Sequence, residues 1–116
     1  MNLQEFLVHA RDHKGTVWTL EESEDLNANL VRFPSGDGVG EHVNDEVDVV
    51  MVGVDGFGAV SVEGREHHLS AGRLVFIPKC ARRSVKSHSD EFAYLSIHRT
   101  RGPLRLGNFR ETEGEA

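Results

Sequence analysis

The chain has 116 residues, 38% of them hydrophobic and 28% charged, which fits one soluble globular domain whose core needs no covalent staples. A formal net charge of −6 argues against a general nucleic-acid binder. No apolar run reaches membrane-spanning length, the start has no signal-peptide pattern, and the single cysteine, Cys80, excludes an intrachain disulfide, so the expectation is a cytoplasmic protein with no membrane or nucleic-acid partner.

The first segment, "NLQEFLVHA", spaces Leu3, Phe6, Leu7 and Ala10 at helical intervals, and Asn2 with Glu5 forms a capping pair. It predicts one short helix. Turn signals then take over. Strands are expected at 16–20, 27–33, 46–53, 58–64, 66–70, 73–78 and 92–98, separated by "PSGDGVG", "VDGFG", "EGR", "SAG" and "SHSDE". Many short strands without alternating long helices mean an antiparallel sandwich or barrel. The acidic stretch 21–25 reads as a solvated loop and 110–116 as a disordered tail; no repeat or linker divides the chain.

One stretch resists a simple reading. In "VGEHVNDEVDVVMVG", residues 39–53, His42, Asn44, Glu46 and Asp48 fall at every second position. In a strand they share a face, yet the opposite face carries Val43, Asp45, Val47 and Val49, so burial alone does not decide which side is inside. An inward polar stripe is costly unless it is paired, hydrated or bound to something.

The order His42-x3-Glu46-x6-Gly53, followed by Gly72-x5-Pro78, resembles the two signature segments of the cupin superfamily over about residues 27–100. The resemblance implies an all-β, cupin-type jelly-roll β-barrel with one short N-terminal helix: a single domain over 1–116, its barrel core at about 16–106. In that barrel Gly53 would open a hairpin turn, and Pro78 would sit at a turn or strand edge that needs no amide donor.

Most cupins bind a divalent metal through two histidines two residues apart and a glutamate from the first segment, and a third histidine from the second. Carried over position by position, His42 stands as the second histidine and Glu46 as the carboxylate. Gly40 takes the place of the first histidine and Arg83 that of the third. Pro34, Cys80 and Ser87 replace the family's leading glycine, the second glycine after the proline and the trailing asparagine. A guanidinium brings fixed charge and no lone pair for a metal.

By the family's parity, residues 42, 44, 46 and 48 face inward, with Arg83 holding Glu46 or Asp48 as a carboxylate. The pocket is then His42, Asn44, Glu46, Asp48, Arg83 and His98, taking a small, anionic molecule without a cofactor. The alternative is a cupin metalloenzyme, an isomerase, cyclase or dioxygenase-like activity, with a divalent metal on His42, Glu46 and His98. A third reading is a regulatory module acting through its dimer surface, since small family members are commonly homodimers. His67, His68 and Cys80 read as structural. The cationic groups Arg82, Arg83 and Lys86, and Arg99, Arg101 and Arg105, read as surface salt-bridging or as an anion-accepting pocket mouth. No Ser-His-Asp order, P-loop or dinucleotide fingerprint is present.

Overall fold

A computed structural model of the chain describes residues 1–100. The expected tail at 110–116, and Arg101 and Arg105, lie outside them. The helix forms where the spacing places it: α1 covers Leu3–His9, and the Asn2 side chain accepts the Glu5 amide at 2.9 Å, satisfying one of the donors that a helix start leaves open.

Nine strands follow among the described residues: β1 (Gly15–Thr19), β2 (Leu26–Phe33), β3 (Gly38–Val43), β4 (Val49–Asp55), β5 (Phe57–Val62), β6 (Arg65–Ser70), β7 (Leu74–Ile77), β8 (Arg82–Ser87) and β9 (Phe92–Arg99). They pair antiparallel in a five-stranded sheet, order β1-β2-β9-β4-β7, and a four-stranded sheet, order β3-β8-β5-β6. The sheets face each other as a jelly roll rather than closing into a continuous barrel. Among the described residues, β1 and β7 edge one sheet and β3 and β6 the other.

The core fills the space between the sheets. Val31, Phe33, Val49, Met51, Val75, Ile77, Phe92 and Tyr94 come from the larger sheet, and Val60, Leu69 and Val85 from the smaller. Side chains on the inner faces alternate with outward ones, as strand geometry requires. A second apolar layer lies on the outside of the larger sheet. There Leu7 of α1 packs with Leu30, Val54 and Ala93, joined by Leu3, Phe6, Val17, Trp18 and Leu95. The helix therefore covers a strip of sheet that would otherwise face water.

Three sequence expectations change. β8 forms where no strand was expected, at residues whose cationic groups read as surface salt-bridging or a pocket mouth. The run 39–53 is two strands separated by a loop at 44–48. Gly53 opens no turn: it lies inside β4, donates its amide to Arg73 O at 2.9 Å and accepts from the Gly72 amide at 3.1 Å. A Cβ there would overlap the Ser70 carbonyl, with Ser70 Cα 3.0 Å away. Glycine is required because the chain between β6 and β7 crosses β4 at backbone contact distance.

Candidate functional site

The site begins at a bulge. Val39 pairs with Val85 and His42 with Arg83, so β3 carries one extra residue between them. That residue lets Val39 pack on the core and still turns His42 toward the interior, although the two differ in parity. His42 is half-buried, its Nδ1 2.9 Å from Gly40 O. Asn44 follows on the same face and is buried; its Oδ1 accepts the amides of Glu46 at 2.8 Å and Val47 at 3.4 Å.

This side-chain turn resolves the polar stripe. It shifts the phase of the chain by one residue, so Val47, Val49 and Met51 are buried whereas Glu46 and Asp48 are exposed. The inward parity expected for 42 and 44 therefore does not extend to 46 and 48. Glu46 acts here through its backbone, whose carbonyl accepts from Arg99 Nη2 at 3.0 Å. Asp48 accepts the Lys79 amide at 2.8 Å and so holds the turn after β7.

Arg83 is on β8 and 3% exposed, on the inward face with Val85 and Ser87. Its Nε donates to Ala81 O at 2.9 Å and its Nη2 to Pro78 O at 3.1 Å. Such charge-assisted bonds offset part of the cost of taking a guanidinium out of water. These two bonds run to backbone carbonyls rather than to the expected Glu46 or Asp48, both of which are exposed. Ion pairs among the described residues are Lys14–Asp37 and the exposed Arg82–Glu41, and exposed pairs of this kind contribute little.

The opposite wall comes from the larger sheet, and sequence reasoning identified only His98 on it. His98 is buried, its Nδ1 2.7 Å from Arg99 O. Asn27 pairs with His98 and Asn29 with Ser96 in the β2–β9 ladder, on the inward face shared with Val31 and Phe33. Thr19 Oγ1 donates to Asn29 Oδ1 at 2.7 Å, and Asn29 Nδ2 to Asn27 Oδ1 at 2.6 Å. Register puts both walls at one end of the sandwich. Pro78, bonded to Arg83, follows Ile77, which pairs with Val49, while the next residue, Val50, pairs with Ile97 beside His98. Deeper in, Tyr94 stacks against Phe92 with ring centroids 5.4 Å apart, and burial pushes its phenol well above the usual value.

A divalent metal does not fit these residues. The expected set of His42, Glu46 and His98 is not assembled, because Glu46 is exposed on the loop. No group of three His, Cys, Asp or Glu side chains among the described residues is arranged to hold an ion. Cys80 is exposed, and His67 and His68 lie exposed on the edge strand β6, His68 with its ring 6.1 Å from Phe57.

No family model matches the sequence, and no curated protein matches it. Solved structures do. The chain is similar to KdgF from Halomonas sp., at 21% identity and TM-score 0.68 over 73% of this chain and 77% of that one. It is also similar to a cupin protein from Bacteroides fragilis, at 19% identity and TM-score 0.63 over 85% and 90%. The cupin domain of Cnp3 from Schizosaccharomyces pombe aligns at 16% identity and TM-score 0.65 over 72% and 62%. At these identities the likeness speaks for architecture alone, and it agrees with the two-sheet topology: the chain has the cupin fold.

Proposed function

We propose that the protein binds a small molecule at the polar end of its sandwich, with Arg83 supplying positive charge where the family carries a metal-ligating histidine. The observation that supports this reading is the burial of Arg83 on an inward face. A charge out of water acts more strongly on a group bound beside it than the same charge would at the surface. Opposite it, His98, Asn27, Asn29 and Ser96 offer polar groups that can orient a ligand.

A thermal-shift screen of polar metabolites against wild type and Arg83→Met tests this. A compound that raises the wild-type melting temperature should lose its effect in the variant, while both proteins keep the same β-sheet circular dichroism. A compound that stabilises both equally, or about one tightly held metal per chain in untagged protein, would overturn it; the second result would favour the metalloenzyme.

We also propose that two copies pair through the uncovered part of the larger sheet's outer face. Leu74 and Phe76 are 61% and 53% exposed on the edge strand β7, next to the half-buried Val50 and Val52 of β4. An open edge beside an apolar patch favours pairing with a second copy.

A further inference from the structure

A cleft lies between α1 and the outer face of the larger sheet, on the side away from the polar interior. It holds about 100 Å³ of free space, and Leu7 and Val8 of the helix contribute apolar lining. The rest of its lining is polar or charged: Gln4, Arg11, Arg32, Asp55 and Glu91. Ligand binding inside the sandwich uses none of these residues.

The sheet sets opposite charges on either side of one strand. Ala93 of β9 pairs with Arg32 of β2 on one side and with Asp55 of β4 on the other. Regular alternation from Gly53 would turn Asp55 inward, but a bulge between Gly53 and Asp55 sets it opposite Ala93 instead. Neighbouring strands lie about 4.8 Å apart, so the backbones of Arg32 and Asp55 are separated by about 10 Å. The helix segment crosses this gap. Gln4 Nε2 donates to Val54 O at 3.3 Å on the β4 side, and His13 O accepts from Arg32 Nη1 at 3.0 Å on the β2 side.

Each charged group is held in place. Arg32 Nη2 also donates to Asp90 O at 3.2 Å, and Asp55 Oδ1 accepts the Gly56 amide at 2.9 Å. Two carbonyls and an amide fix the pair without neutralising either charge, and both groups keep hydrogen-bonding capacity to spare. No ion pair among the described residues joins Arg11 or Arg32 to Asp55 or Glu91.

We propose that this cleft binds a small zwitterionic amino acid, with its carboxylate on Arg32 and its ammonium on Asp55. A ligand with one charge would leave the other wall unmatched, whereas a zwitterion meets both through charge-assisted hydrogen bonds. The free space corresponds to about three waters, which suits glycine or alanine. Beside Leu7 and Val8, a methyl group is better placed than a polar side chain.

Glycine, acetate and methylammonium are titrated at constant ionic strength into isotope-labelled wild type and Asp55→Asn, following the Arg32 Nε–H and the Gly56 amide by NMR. The substitution keeps an oxygen for the Gly56 amide and removes the charge. In wild type, glycine should move both signals saturably. Acetate and methylammonium should each bind at least about tenfold more weakly, as the loss of one charge-assisted bond requires. Asp55→Asn should weaken glycine by a similar factor and acetate not at all, with the backbone spectrum retained; Asp55→Ser, which also keeps a short acceptor, serves if that variant does not fold. Acetate binding as tightly as glycine would make the cleft an anion site, and methylammonium binding as tightly would make it a cation site; either overturns the proposal. Equal glycine affinity in the variant, or no saturable shift with glycine, overturns it too. Glycine shifts confined to Asn27 and His98 would place the amino acid in the interior, and the outer site falls.

Discussion

Replacing Gly53 by Ala tests the crossing on which the relative placement of β4, β6 and β7 depends. The added methyl would overlap the Ser70 carbonyl carbon and oxygen, which are backbone atoms that cannot swing away as a side-chain tip can. Overpacking of this kind costs about 1–3 kcal/mol. Moving the Ser70 segment out also strains the Gly53–Arg73 and Gly72–Gly53 hydrogen bonds, each contributing about 1 kcal/mol net, for a total loss of roughly 3–5 kcal/mol. Urea unfolding reads it directly. With a slope of about 2 kcal/mol per molar, the midpoint should fall by about 2 M. Gly40→Ala is the control, because nothing lies within 4 Å of a Cβ at that position. It shares the backbone-entropy gain of any Gly→Ala change and should leave the midpoint within about 0.3 M of wild type. If the two variants unfold at the same midpoint, the close approach does not explain the glycine.

Leu7→Ala should cost about 2–4 kcal/mol by opening a cavity between α1 and the sheet, and red-shift the fluorescence of Trp18, the chain's single tryptophan and part of the same cluster. Tyr94 is the only tyrosine, so a near-ultraviolet titration reports it alone; its phenol should stay neutral beyond pH 10 for as long as the fold persists. Because its folded pKa is raised above the unfolded value of 10.0, the associated stability is fully present below pH 10 and is lost as pH rises from there. Alkaline unfolding with a Tyr94 that ionises at its ordinary value in the native state would contradict this burial. Light scattering should give twice 12.9 kDa for wild type and a return toward the single-chain mass for Phe76→Lys; a monomeric wild type across the micromolar range removes the dimer proposal.

The helix and most strands were legible because their apolar residues repeat at the period of the element that buries them. β8 was not. Of its inward residues only Val85 is apolar, with Arg83 and Ser87 beside it, so its composition resembles a charged turn. The stripe at 42–48 misled for a different reason. Period-two reasoning assumes an unbroken strand, and the bulge before His42 and the side-chain turn at Asn44 each displace the phase by one residue. Asn27 and Asn29 escaped notice because β2 is covered on both sides, Leu30 by the helix layer and Val31 by the core, which hides the polar residues among apolar ones. The signal available was their shared parity with Val31 and Phe33.

The position of β9 has a consequence for synthesis. It is the last strand in the described chain, yet it lies in the middle of the larger sheet, hydrogen-bonded to β2 on one side and β4 on the other. The β1–β2 and β5–β6 pairs join neighbours in the chain and can form while translation continues. β2 and β4 must wait, each with an unmatched edge, until residues 92–99 have left the ribosome. A nascent chain stalled before β9 therefore presents two sticky strands in place of one finished sheet, and release of the last strand is the step that commits the fold.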